Sequence, residues 1–109
     1  MSNADKEYLF KIETPIGFSV SCSKAYWEFI ITQKHPILGG HESDVEQTLK
    51  DPDEIRRSRK DITVFLFYRS DRSRWLCVVV RREDGSGFLI TAYPTDAIKM
   101  GEIIWKKSK

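Results

Sequence analysis

The sequence predicts an α+β domain in which two or three short helices pack on a small antiparallel sheet, preceded by an N-terminal hairpin. Three observations lead there. Three runs rich in β-branched and aromatic residues, Ile62–Arg69, Trp75–Arg82 and Phe88–Tyr93, are joined by short turn-forming links. Trp27, Ile30, Ile31 and Lys34 repeat at helical spacing and stop at the His35-Pro36 step. Tyr8–Glu13 and Phe18–Cys22 alternate on either side of Thr14-Pro15-Ile16-Gly17, a β-turn composition.

In chain order, the Tyr8–Glu13 and Phe18–Cys22 pair forms the hairpin, and Ser23 follows as a helix N-cap able to satisfy an orphan backbone N–H. Pro36 removes a donor and disfavours helical geometry at His35, so the helix ends near Lys34 and His35 falls on a bend. Ser43-Asp44-Val45-Glu46 matches a capping box, and Val45 and Leu49 give a second, short helix its apolar stripe before Asp51-Pro52. Asp53–Lys60 carries few core residues except Ile55 and is expected to cross the surface. The three meander strands follow, linked by Ser70–Ser73 and Asp84–Gly87, too short for anything but antiparallel neighbours. Asp96 can cap one more helical turn, Gly101 can end it, and Ile103-Ile104-Trp105 can add a last strand. The expected organisation is a tag remnant with a disordered start over residues 1–7, one domain over 8–105, and a frayed tail over 106–109.

At 109 residues, 40% apolar and 31% charged, the chain reads as a single globular domain. No apolar run approaches the roughly 20 residues of a bilayer span. No signal-peptide layout opens the chain, which points to the cytoplasm. Cys22 and Cys77 sit in apolar, strand-like runs and read as buried reduced thiols, the alternative being a disulfide. With only His35 and His41 beside them, no metal site and no cofactor is expected. The net charge of +2 hides a segregation. Nine basic residues lie between Arg56 and Arg82 against Asp61 and Asp71, whereas Glu42–Glu54 holds six acids against Lys50. Such a dipolar surface attracts a polyanion through its basic side; the alternative is that these charges merely solvate loops and guard sheet edges.

Period-two geometry places Leu89, Thr91 and Tyr93 on one strand face, and Phe67 and Arg69 on one face of theirs. Should those faces coincide, an arginine and two hydroxyls share a concavity that His35 covers. Histidine carries protons near neutral pH, and arginine grips phosphate with a permanent charge. Together they are parts for cleaving RNA through its own 2′-hydroxyl without a metal. Each has a plainer explanation: His35 against a helix-end dipole, Arg69 as an edge charge, Thr91 and Tyr93 as strand formers.

The succession Trp27, Ile30, His35-Pro36, Leu49, Asp51-Pro52-Asp53, Ile55, Ser58, Tyr68-Arg69, Thr91-Ala92-Tyr93, Lys99, Gly101 and Trp105 resembles the phage-associated barnase/EndoU/colicin/RelE-like nucleases of bacteria. The resemblance implies a barnase/RelE-like α+β fold and a metal-independent endoribonuclease, toxin-like or phage-derived. By position it makes His35 the acid/base and Arg69 the phosphate-neutralising group, with Thr91 and Tyr93 completing the site. Arg56, Arg57, Arg59, Lys60 and Lys99 would bind the nucleic acid. The partners implied are RNA, either tRNA or mRNA, and a cognate immunity or antitoxin protein. The alternative is a non-catalytic module that binds RNA or a protein. The chain departs from the family in lacking a second well-placed histidine, unless His41 swings in, and a catalytic glutamate of the barnase sort.

Overall fold

The structure, a computed structural model, describes residues 7–99 and 101–108. The tag-like start, apart from Glu7, lies outside the described residues. The sheet is much larger than the sequence suggests: 48% of the described residues are strand against 23% helix, so the helices decorate a sheet rather than share the body with it.

The strands are β1 (Tyr8–Glu13), β2 (Ser19–Ser23), β3 (Glu54–Arg57), β4 (Val64–Asp71), β5 (Arg74–Glu83), β6 (Ser86–Thr95) and β7 (Glu102–Lys106). They lie in the order β1-β2-β6-β5-β4-β3-β7, in one seven-stranded sheet. All neighbours are antiparallel except β2 and β6, which run parallel through Val20–Gly87 and Ser21–Phe88. The expected small antiparallel sheet is thus corrected to a large mixed one. Two non-local additions make the difference: the hairpin joins the meander through the parallel pair, and β3 with β7 extends its other edge.

The hairpin forms where expected, its turn fastened by Thr14 Oγ1 donating to the Phe18 carbonyl at 2.7 Å. Ser23 caps the helix as its composition indicates, accepting from the Tyr26 N–H at 3.0 Å. The α-helical geometry of α1 (Lys24–Phe29) is shorter than the apolar period. Ile30–Lys34 continues as a π turn, closed by the His35 N–H donating to the Ile30 carbonyl at 2.8 Å. Pro36–Leu38 forms a 3-10 turn and α2 spans Glu42–Lys50. Its cap position is His41 rather than Ser43, with His41 Nδ1 2.9 Å from Asp44 Oδ2.

Two other expectations fail for one reason, pairing partners distant in sequence. Within the 53–60 segment, residues 54–57 form β3 between β4 and β7, with Ile55 wholly buried. The described residues after β6 make no helical turn. The segment crosses the sheet to reach β7, and Gly101 comes so close to β3 that a Cβ there would lie 2.5 Å from the Arg57 carbonyl oxygen. Residues 106 and 107 are also tied down: Lys106 pairs with Glu54, and Lys107 Nζ lies 3.1 Å from Asp51.

Alternation along β4 and β5 divides the core in two. Phe65, Phe67, Leu76, Val78 and Val80 face the helices, where Trp27, Ile30, Val45 and Leu49 cover them. Each such buried side chain contributes about 1.5–3 kcal/mol. Leu66, Tyr68 and Cys77 face the other way, packed with Trp75, Val79, Tyr93 and Ile98.

Candidate functional site

Pairing register aligns polar side chains into a row across the face away from the helices. Glu54 opposes Tyr68, Tyr68 opposes Cys77, and Cys77 opposes Tyr93. The neighbouring row on the same face is Arg56, Leu66, Val79 and Thr91. Thr91 and Tyr93 therefore share a face, as period two requires. Leu89 does not share it. A bulge at Ile90 inserts one residue, so Leu89 pairs with Val80 and turns to the helix side.

His35 reaches this row around the edge of β6. Past Phe88, β6 has no partner in β2, and the helical segment runs along the open edge instead. Tyr26 Oη donates to the Ile90 carbonyl at 2.7 Å near its start. At its end the π turn and Pro36 set the half-buried His35, whose ring centre lies 6.0 Å from that of Tyr93, the planes 41° apart. Lys99, in the segment after β6, places its ammonium 5.6 Å from the Tyr93 ring centre. Its backbone N–H donates to Tyr68 Oη at 3.0 Å, fixing the crossing segment to the row.

Burial governs the titration of this cluster. It pushes the Tyr68 phenol up to about 12, with the neighbouring Cys77 sulfur adding to the effect. Tyr93 is raised for the same two reasons, and Cys77 is raised by its own burial. Both phenols therefore remain protonated around neutral pH, where they serve as hydrogen-bond donors and not as bases. The Thr91 hydroxyl is buried without a hydrogen-bond partner among the described residues.

Of the four residues expected to act together, His35 and Tyr93 meet, Thr91 shares the sheet face of Tyr93, and Arg69 lies on the other face. Arg69 sits opposite Leu76, which sits opposite Pro94, on the helix side of the sheet. It lines a small cleft with Asp44, Thr48 and Asp71. Because Tyr68 belongs to the polar row, alternation forces Arg69 to the other side. His41 lines an adjoining cleft with Arg74 and Leu76, away from His35.

The basic run is also divided. Arg56 is held by Glu54 at 2.5 Å and donates to the Gly101 carbonyl at 3.3 Å. Arg57 faces the helix side, 5.3 Å from the Phe65 ring centre and 3.6 Å from Glu102. Arg59 and Lys60 are exposed beyond the end of β3. Lys99 alone among the five reaches the Tyr93 cluster. Sequence reasoning missed Glu54, whose carboxylate is buried in the polar row. Its only local signal is a place in a short charged strand, which by itself reads as surface.

Cys22 and Cys77 are both buried free thiols. Among the described residues, no three His, Cys, Asp or Glu side chains gather as a metal site, and no helix is long and apolar enough to cross a membrane. The chain matches no protein-family model, no curated protein and no solved structure at a significant level.

Proposed function

We propose that the chain is a metal-independent endoribonuclease centred on His35, Tyr93, Thr91 and Lys99. The observation carrying this reading is the convergence of the His35 imidazole and the Lys99 ammonium on Tyr93, on a sheet face not covered by the helices. His35 takes the proton of the 2′-hydroxyl as that oxygen attacks the adjacent phosphorus. Lys99 offsets the charge that develops on the non-bridging oxygens and the Tyr93 hydroxyl donates to them, with the buried Thr91 hydroxyl on the same sheet face behind it. The bond to the 5′-oxygen breaks and the His35 imidazolium returns its proton there, leaving a 2′,3′-cyclic phosphate and a 5′-hydroxyl. Proton transfer of this kind contributes about 10²–10⁴-fold and a positioned donor about 10²–10³-fold. Lys99 takes the role that the family resemblance gives Arg69, because Arg69 is on the wrong side of the sheet.

The resemblance to phage-associated nucleases supports the same reading. It extends it to a toxin-like or phage-derived effector acting in the cytoplasm on tRNA or mRNA, opposed by an immunity or antitoxin protein. A second reading is a non-catalytic module binding RNA or a protein partner. What favours it is the shortage of proton carriers: both phenols are held protonated, and Glu54 is engaged by Arg56. The two readings separate when purified protein is incubated with total tRNA and with mRNA in EDTA, beside His35→Ala and Lys99→Ala. Cleavage that survives EDTA and falls by about 10²–10⁴-fold in His35→Ala is expected of the enzyme. RNA binding without cleavage in any of the three proteins would leave the module.

A further inference from the structure

β2 and β6 stay side by side for only two residue pairs, Val20–Gly87 and Ser21–Phe88, before β2 turns away into α1. The strands splay, and a cleft of about 370 Å³ opens between them, walled chiefly by Tyr8, Tyr26, Phe88, Ser21, Ser23 and Leu89. Among the described residues, no charged side chain lines it. Two of its three aromatic rings are open to solvent, Tyr8 at 52% and Phe88 at 37%. Exposed rings lining one cleft form the kind of apolar patch that marks a ligand-binding groove. The Tyr26 phenol is committed to the Ile90 carbonyl, and burial raises its pKa, so it remains a neutral wall.

Flat apolar faces beside hydroxyls and an unpaired strand edge are what a nucleobase needs: rings to stack on, and donors and acceptors for its polar rim. The uncharged lining among the described residues suits the base rather than its phosphate. The neighbouring cleft strengthens that choice, because Glu83 and Asp84 there oppose a phosphate more than Lys11 attracts one. The sugar and phosphate must therefore leave in the other direction, along β6.

That direction leads to the proposed catalytic cluster. The bulge at Ile90 returns Phe88 to the face of Thr91 and Tyr93. At about 3.3 Å per residue, Phe88 lies roughly 10 Å from Thr91 and roughly 16 Å from Tyr93 along the strand. The helical segment follows the same edge, from Tyr26 at Ile90 to His35 at Tyr93. We infer that the cleft between β2 and β6 binds an unpaired base of the substrate, the one just beyond the two flanking the reacting phosphate. The inference rests on the ribonuclease reading for its ligand and makes it more specific. A base held in an A-form duplex cannot be splayed into such a cleft, so the substrate is single-stranded or looped RNA.

The test compares Phe88→Ala, Phe88→Trp and Tyr8→Ala with the unaltered protein, each checked for folding by circular dichroism. The probes are a single-stranded RNA oligonucleotide, its uncleavable 2′-O-methyl counterpart, and a dinucleotide too short to reach the cleft. Loss of one stacking surface is expected to raise KM for the oligonucleotide, and Kd for the 2′-O-methyl probe, about tenfold in Phe88→Ala. kcat and dinucleotide cleavage should not change, and Phe88→Trp should restore binding. Unchanged KM and Kd in folded Phe88→Ala and Tyr8→Ala would overturn the base site while leaving the ribonuclease reading to stand on wild-type cleavage. Phe88-dependent binding in a protein that cleaves nothing would support the site and overturn the nuclease.

Discussion

The two faces of the sheet are built from interleaved residues of the same strands, yet they are closed by different means. On the helix side, β4 and β5 present Phe65, Phe67, Leu76 and Val78, and two helices seal them with Trp27, Val45 and Leu49. On the other side the same strands present Tyr68 and Cys77, also wholly buried, beneath a single crossing segment that contributes Ile98 and Lys99. A helix layer removes water over a wide area, so only apolar side chains are favourable beneath it. A narrow strap supplies its own backbone N–H to the groups it covers, so polar side chains can be buried and still satisfied. The face that tolerates polar residues is the one that carries Thr91 and Tyr93 and on which His35 and Lys99 meet Tyr93.

This contrast predicts different penalties for adjacent positions of one strand. Phe67→Ala empties a site sealed by helices and is expected to cost about 3–5 kcal/mol. Tyr68→Phe keeps the ring but removes the acceptor of the Lys99 N–H, and is expected to cost about 1–3 kcal/mol. Urea denaturation of both variants measures the difference directly. Equal costs would mean that the strap seals its face as tightly as the helices seal theirs.

Alkaline pH probes both faces at once. Burial raises Cys22 from 9.0 to about 12 on the helix side and Tyr68 from 10.0 to about 12 on the other. Below pH 9 these groups hold their protons in folded and unfolded chains alike, so their contribution to stability is constant there. Above that, the unfolded chain sheds protons that the folded one retains, and unfolding becomes progressively easier until the folded groups titrate near 12. The melting temperature should fall through this window, and Tyr68→Phe should shallow the fall. A wild-type melting temperature independent of pH across the window would contradict the burial of these groups.

Much of the local structure was legible because local rules decide it. The β1 bounds, the Ser23 cap and the helix end before His35-Pro36 each follow from neighbouring residues. So does the shared face of Thr91 and Tyr93. What escaped was decided by distant partners. β3 is a strand because β4 and β7 flank it, and nothing within Glu54–Arg57 announces that. The parallel pairing of β2 with β6 has no turn to signal it, and the bulge at Ile90 breaks the alternation that assigned Leu89 to the site. The capping-box pattern at Ser43 lost to His41, whose ring engages Asp44 one turn on.

Arg69 gives the smallest expected effect and the most direct test of the two-face comparison. It stands next to Tyr68 in sequence, and the family resemblance makes it the phosphate ligand, but alternation directs it to the helix side. There it lines a cleft with Asp44 and Asp71, separated by the full thickness of the sheet from the Tyr93 cluster. A guanidinium cannot neutralise a phosphorane it does not face, whereas the Lys99 ammonium already lies 5.6 Å from the Tyr93 ring centre. On the proposed ribonuclease reading, Arg69→Ala should therefore leave kcat/KM for RNA cleavage within about twofold, while Lys99→Ala lowers it by about 10²–10³-fold. Stability should also change little in Arg69→Ala, since the side chain is only half-buried. A loss in Arg69→Ala matching that of Lys99→Ala, in a folded protein, would move the reacting phosphate to the helix side and bring the His41 cleft into the chemistry. On the ribonuclease reading, the same pair of variants thus decides which face of the sheet would meet the RNA.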